Sequence, residues 1–450
     1  MTGSVRTRFA PAPSGLLHLG NARTAVLNWL FSRREDGEFL LRFDDTDTAR
    51  VDAAYIAKAE RDLSWLGLEW HTRHLQSERS AIYAAAIERL KASGHLYPCY
   101  ETADELAARR ASLVRSGQPP VYDRAALRLT ADERRSLESH GRQPHWRLKL
   151  GDGALAWDDL IRGPCSFEPA AIGDPVVVRE DGTPLYILAS VVDDVDLAIT
   201  HVIRGEDHVA NTPVQIALFG ALQAAVPLFG HHSLIVDDAG QRLSKRAGAQ
   251  ALAGLRDDGL EPRAVLAWLA RVGTADTVAA DMGPAEMAAT LDFARFSRAP
   301  VHVDHAALDH ANRQILSALP YADARPRLES MGVSGGEAFW LAVRPNLSRL
   351  ADARLWWRVV SDVMPPAPGV SPEDADYLAM AAGLLPETLD GGAFDAWTRA
   401  IGQQSGRKGR ALYGPLRLAL TGRKDGPELR LLLSFLGSQR ARRRLLGETA

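Results

Sequence analysis

Residues 5–10 alternate in polarity, with Val5, Thr7 and Phe9 on one side, which is the period of a short half-buried strand. Pro11-Ala12-Pro13-Ser14-Gly15 ends it, because two prolines and a glycine cannot continue a ladder. Ala22, Ala25, Val26, Trp29 and Leu30 then recur at helical spacing, and the pattern stops near Asp36-Gly37. Residues 38–43 read as a second strand. Strand, loop, helix and strand in this order make a βαβ unit, the start of a parallel sheet.

Polar, helix-rich sequence follows. Thr102 and Glu105 form a capping box for a helix through Leu106 and Leu113, and Gly117-Gln118-Pro119-Pro120 breaks it. Apolar runs that read as strands resume at 185–188 and 197–203, so 76–184 reads as an insertion. A strand near 234–236 turns through Asp237-Asp238-Ala239-Gly240 into 241–246. Beyond about residue 300 the strand signal disappears, and 306–319, 339–343, 355–363, 376–385 and 429–446 read as packed helices. The expected division is 1–75 with 185–235, then 76–184, 236–305 and 306–450. There is no short repeat and no low-complexity tract.

A length of 450 residues exceeds one ordinary core, which agrees with several domains. Apolar residues at 46% and charged residues at 24% are the balance of a soluble globular protein. The net charge of -3 says nothing of a polyanionic partner, but its distribution does. Residues 401–450 hold eleven Lys/Arg against three Asp/Glu, a patch that phosphates could use or that a solvated helix could carry. Two cysteines, Cys99 and Cys165, exclude a disulfide framework. No signal-peptide core opens the chain and no run reaches a membrane span of roughly 18 apolar residues. A cytoplasmic protein is expected.

Two short stretches carry candidate chemistry. His18-Leu19-Gly20-Asn21 lies where the proline-rich loop meets a helix start, and helix N-termini bind phosphate through unpaired amides. Gly20 permits close approach of a base or phosphate, and His18 can donate to a phosphate oxygen. Arg242-Leu243-Ser244-Lys245-Arg246 puts three cations around one serine on a loop, where a lysine can neutralise a triphosphate. Taken singly, the first is more often a capping histidine and the second a solvated basic loop.

Together, in this order and spacing, they resemble the two signatures of class I aminoacyl-tRNA synthetases. Asn21 replaces a frequent histidine in the first, and Ser244-Lys245 are retained in the second. The blocks TRFAPAPSGLLHLGNARTAVLNWLF, LLRFDDTD, YDR, DGTPLYILASVVDDVDLAITHVIRGEDHVANTP and KGRALYGPLRLALTG resemble the bacterial glutamyl branch from about residue 6 to 436. The resemblance implies an α/β Rossmann-like catalytic domain with an α+β acceptor-binding insertion at 76–184. A stem-contact region at 236–305 and an all-α anticodon-binding region at 306–450 would complete it.

It also implies a site. Arg8 and Arg204 would receive the glutamate carboxylates, Tyr186 would close the pocket, and Ala10 and Ser190 would complete it. Asp44, where many members have glutamate, would hold the substrate ammonium. His18, Gly20, Asn21 and Lys245 would bind ATP, with His18, Ser244 and Lys245 as the catalytic set. Ala12 replaces a common serine and Ser190 a common asparagine, which alters hydrogen bonding near the amino acid. Of the Cys-x-Cys and Cys-x-His that hold zinc in many members, this chain keeps Cys99 alone, so no zinc is expected. Magnesium would accompany ATP. Arg344, Arg407, Lys408 and Arg417 would touch tRNA(Glu), and Arg344-Pro345-Asn346 leaves tRNA(Gln) open as a second substrate. A monomer is the family default. Two other readings are a catalytically silent tRNA-binding paralogue and a glutamyl-queuosine tRNA synthetase-like enzyme, though the latter lacks such a tail.

Overall fold

β1 (Arg6–Phe9) and β2 (Glu38–Phe43) run parallel, with Arg6 opposite Glu38 and Phe9 opposite Leu41. The computed structural model describes residues 4–46, 51–237, 239–241, 251–278, 281–389 and 391–450. These fall into two units: Met1–Arg256 with Leu266–Val278 and Met282–Asp304, and Asp257–Val265 with Ala279–Asp281 and His305–Ala450.

The helix Leu19–Arg34 joins β1 to β2 and is buried on most of its faces, through Ala22, Val26, Leu27, Trp29 and Leu30. A helix enclosed this way must satisfy its polar side chains internally. Arg23 donates to Ser233 O at 2.7 Å and Val272 O at 2.8 Å, and Asn28 Nδ2 to Ile203 O at 2.8 Å. Its last turn carries Arg33 and Arg34, which suit the negative end of the helix dipole. β3 (Thr72–Leu75) extends the sheet parallel to β2.

The inserted stretch is α+β. β4 (Leu96–Cys99), β5 (His145–Leu148) and β8 (Val176–Val178) form an antiparallel sheet in the order β4-β5-β8. β6 (Leu155–Asp159) and β7 (Gly163–Phe167) form a separate hairpin. The helix Ala103–Arg115 begins in the Thr102/Glu105 capping box.

The apolar run at 185–188 is not a strand. It opens the helix Tyr186–Asp196, whose Leu188, Ala189, Val191 and Val192 are buried against Leu218, Phe219 and Phe229. A short continuous apolar run fits a buried strand or a buried helix equally, and only the tertiary partners decide. β9 (His201–Gly205) and β10 (Leu228–His232) pair in parallel, and Thr200 N donates to Arg6 O at 3.0 Å beside β1. β11 (Ile235–Val236) pairs in parallel with β12 (Val301–His302).

In the second unit the described residues from His305 onward are helical, packed around Phe339, Trp340, Val343 and Trp356 and around Tyr377, Trp397, Leu416 and Leu433. The expected helix at 429–446 is two, Leu429–Leu436 and Ser438–Leu445, because Gly437 at φ 80° interrupts it. The Arg444 guanidinium donates to four carbonyls, those of Val359, Leu420, Asp362 and Ala450. Burial pushes its pKa down to about 10, so it stays charged and ties the chain end to two helices.

Gly37 makes the turn into β2, and a Cβ there would lie 2.3 Å from Val5 O. Gly37→Ala should therefore destabilise the protein by about 1–3 kcal/mol, read as a lower urea midpoint at unchanged slope.

Candidate active site

The carboxyl ends of β1, β2 and β9 open onto a cleft of about 580 Å³, the usual ligand position for an open parallel sheet. Arg8, Ala10, Ala12, His18, Gly20, Asn21, Asp44, Tyr186 and Arg204 all line it. A larger cleft of about 790 Å³ lies in the second unit, edged by Arg354, Arg358, Arg423 and Pro365–Pro368. It gathers arginines and apolar surface without an acid–base or nucleophile set, so the chemistry belongs to the first.

His18 caps the helix Leu19–Arg34, its Nδ1 accepting from Asn21 N at 3.2 Å. An imidazole accepting at Nδ1 carries its hydrogen on Nε2 in the neutral form, a donor for an anion at this helix start. A Cβ on Gly20 would sit 3.0 Å from the His18 ring, so the glycine keeps the imidazole in its capping position.

One wall of the cleft is a buried charge cluster. Arg8 makes a two-point pair with Asp194, at 3.1 and 3.3 Å. Arg42 reaches Asp44 and Asp194, each at 2.8 Å, and Ser190 Oγ at 3.1 Å. Asp193 accepts from Arg79, Gln76 and Tyr83. Burial opposes the Arg42 charge, yet the carboxylates of Asp44, Asp194 and Asp193 hold its pKa well above the ordinary value. Burial pushes Asp44 up to about 6 against the pull of Arg42. Asp194 is also buried, but Arg8 and Arg42 together hold it below the usual carboxylate range.

Arg204, on β9 beside β1, also lines the cleft. Its Nε donates to His231 Nε2 at 3.2 Å, and its Nη2 to Thr212 Oγ1 at 2.9 Å and Gln215 Oε1 at 2.6 Å. Nη1 is buried without a hydrogen-bond partner. Burial pushes this guanidinium's pKa down, against the opposing pull of the nearby Tyr186 hydroxyl. The neighbouring imidazoles are kept neutral: burial lowers His208 to about 4 and His232 to about 3, with Arg204 and Arg23 respectively adding repulsion. The cleft thus offers an ammonium partner in Asp44, an open guanidinium nitrogen in Arg204, and a helix start at His18.

One expectation changes. Ser190 is fully buried and turned to Arg42, so it supports the wall and does not line the cleft. Arg8 lines the cleft and is paired with Asp194. Ser244 and Lys245 lie outside the described residues. Of the anticodon-side candidates, Arg344 donates to Leu319 O, Arg407 pairs with Asp374 and Arg417 donates to Pro427 O, while Lys408 is exposed. Sequence reasoning passed over Arg42, Asp193, Asp194, Asp159 and His231. For Arg42, Asp193, Asp194 and His231 the signal was there: each is a charged or titratable residue in a largely apolar strand or helix.

In the insertion, donor atoms of Cys99, Glu101 and His145 lie within 4.8 Å of one another. Tyr122 donates to one Glu101 oxygen at 2.6 Å, and the other oxygen and His145 Nε2 lack partners. Burial pushes the Cys99 thiol up to about 12, and the Arg147 guanidinium stacks on Tyr122 beside it. Three donors do not make a closed four-ligand zinc site. The residues do not fit that metal.

Sheet, insertion and cleft define a class I aminoacyl-tRNA synthetase, and the comparisons agree. Residues 4–310 match the family tRNA synthetases class I (E and Q), catalytic domain, and residues 371–447 match the anticodon binding domain. The chain is 52% identical to Glutamate--tRNA ligase 2 of Methylobacterium sp. (strain 4-46), covering 98% of this chain and 99% of that one. It is 47% identical to Glutamate--tRNA ligase 1 of Brucella ovis, over 98% of this chain and 99% of that one. Among solved structures, a glutamate tRNA ligase from Elizabethkingia meningosepticum, in complex with its amino acid, superposes with a TM-score of 0.85 at 25% identity, covering 98% of each chain. The chain belongs to the glutamate–tRNA ligase family.

Asp44 gives the site a pH signature. Its folded pKa of about 6 lies above the ordinary carboxyl value, so its contribution to stability is present in acid and lost as pH rises through 6. Its ionised form, which an ammonium needs, appears over the same range. The KM for an amino-acid substrate should rise as pH falls below 6, and Asp44→Asn should abolish that limb of the profile.

Proposed function

We infer that this enzyme joins L-glutamate to tRNA(Glu), using ATP and passing through glutamyl-adenylate. The observation that carries the reading is the presence of Asp44 and Arg204 in one cleft that also takes in the His18 helix start. Asp44 takes the substrate ammonium, Arg204 Nη1 and Arg8 face a carboxylate, and Tyr186 stands at the mouth with its hydroxyl 3.5 Å from His208 Nδ1. Ala10 adds backbone at the pocket floor, and Gly20 and Asn21 leave space for the nucleotide. A glutamate carboxylate oxygen attacks the α-phosphate and expels pyrophosphate, and His18 with Lys245 and Ser244 of the second signature stabilises the charge that builds there. Magnesium travels with the triphosphate. A tRNA ribose hydroxyl then attacks the activated carbonyl and takes the glutamyl group, releasing AMP, and no protein nucleophile is required.

The domain reading follows the same logic. Residues 1–75 with 185–235 form the catalytic domain, 76–184 meets the acceptor end, 236–305 meets the stem and 306–450 the anticodon arm. Exposed Lys408, Arg410, Arg423 and Lys424 supply phosphate contacts, with the arginine-edged cleft of the second unit beside Arg423. Arg344, Arg407 and Arg417 are partly committed to internal bonds and contribute what remains of their forks. Asn346 is exposed where a discriminating arginine would stand, so tRNA(Gln) is accepted as well. The enzyme works as a monomer in the cytoplasm; no helix among the described residues is long and apolar enough to cross a membrane.

Charging assays with purified tRNA(Glu) and tRNA(Gln) test the reading. Glutamate should be esterified to both, and His18→Ala should lower kcat by about a hundredfold or more with little change in KM for glutamate. Refusal of tRNA(Gln) removes the broad specificity, and no charging of either tRNA favours a silent binding paralogue.

Zinc is not part of this scheme. Elemental analysis of the protein purified without chelator should find less than about a tenth of a zinc per chain, against the one per chain of a structural site. Stoichiometric zinc lost on Cys99→Ser would reverse that conclusion.

A further inference from the structure

Arg204 is held from behind by a residue of the insertion. Asp159 ends β6, at the tip of the β6–β7 hairpin, and its carboxylate is buried against β10. Oδ1 accepts from the backbone N–H groups of Ile161 at 3.1 Å, Arg162 at 3.0 Å and His231 at 3.0 Å. Oδ2 accepts from Trp157 Nε1 at 3.3 Å and from the His231 ring at Nδ1. So many donors hold the carboxylate ionised despite its burial.

The consequence runs through the imidazole. With Nδ1–H donated to Asp159, His231 presents a lone pair at Nε2, and Arg204 Nε donates to it. The ring is fully buried, lies parallel to Phe229 with 9° between planes and is edged by Trp157, and a turned ring would lose its Asp159 bond. Protonation would place an N–H against the Arg204 N–H, and burial keeps the ring neutral. Thr212 and Gln215 take Nη2. Every guanidinium nitrogen is then committed except Nη1.

We propose that Asp159 and His231 are positioning residues for the amino-acid substrate. They fix the direction of the Arg204 fork so that Nη1 is the nitrogen presented to a carboxylate. Neither touches substrate; both act through Arg204, and the proposal rests on the assignment of Arg204 to glutamate given above. The oriented-imidazole device is common behind metal ions and catalytic histidines, and here it serves a guanidinium.

Steady-state kinetics of the full-length enzyme with tRNA and magnesium ATP test this. His231→Phe keeps the ring stacked on Phe229 and removes both nitrogens; Asp159→Asn removes the charge that sets the tautomer. Each should raise KM for glutamate about tenfold or more while KM for ATP stays within about twofold. His231→Gln, which offers an acceptor on a longer stem, should recover part of the loss. A merely structural role predicts otherwise, since loosening the hairpin would move both KM values together. That result, or an unmoved glutamate KM in a variant with wild-type circular dichroism and melting temperature, overturns the proposal. Should Asp159→Asn fail to fold, because it also organises the hairpin turn, the two His231 variants carry the test. Arg204→Lys separates the two layers of argument. A raised glutamate KM there, with none in His231→Phe, defeats the positioning pair and leaves the site intact; an unchanged KM in Arg204→Lys defeats both.

Discussion

Three guanidiniums and three carboxylates share one buried patch, and the position of the cleft depends on them. Arg8 comes from β1, Arg42 from β2, Arg79 from the turn after β3, and Asp193 and Asp194 from the helix Tyr186–Asp196, with Asp44 at the rim. Placing charges this deep is unfavourable unless each is paired and hydrogen-bonded, and the six satisfy one another with help from Ser190, Gln76 and Tyr83. Loss of a single partner would leave an uncompensated charge at a cost of about 3–5 kcal/mol. The cluster therefore does more than stabilise. It locks strands far apart in sequence to one helix, and it sets the depth at which Asp44 and Arg8 stop.

At Arg204 the electrostatic logic inverts. Arg204 is surrounded by histidines that burial keeps neutral, so no carboxylate answers its charge within bonding reach among the described residues. Arg8, by contrast, is matched by Asp194. A pocket with one matched and one unmatched guanidinium prefers a ligand that brings a single negative charge to the unmatched one. A carboxamide in the same place would leave Arg204 desolvated and uncompensated, whereas a carboxylate completes its hydrogen bonds.

The sequence made some of this legible and hid the rest for identifiable reasons. The β1–helix–β2 unit could be read because period-2 and period-3.6 patterns alternate between unambiguous breakers, Pro11 to Gly15 and Asp36-Gly37. The Thr102/Glu105 box was local chemistry and appears as such. The run at 185–188 carries no period, and its helix is chosen by contacts with Leu218 and Phe229. Ser190 was placed by analogy to a position, yet its direction follows from Arg42, a residue 148 positions away. His18, Gly20 and Arg204 could be named from motifs. That Asp159 belongs with them could not, since no spacing relates a hairpin tip to a strand seventy-two residues later.

That last distance bears on what the insertion is. By sequence it interrupts the catalytic sheet between β3 and β9, which suggests a module that could be cut away. Its hairpin, however, is bonded to the sheet: Leu160 N donates to Phe229 O at 2.8 Å and Arg162 pairs with Glu206 at 2.8 Å, in addition to Asp159 with His231. Glu206 in turn accepts from Leu234 N, between β10 and β11. The insertion thus supplies buried polar partners to the residues that shape the cleft, and its removal would leave His231 and Arg204 without their support. A segment whose hairpin is bonded into the sheet behind the cleft is part of the first unit in the energetic sense, whatever its place in the chain.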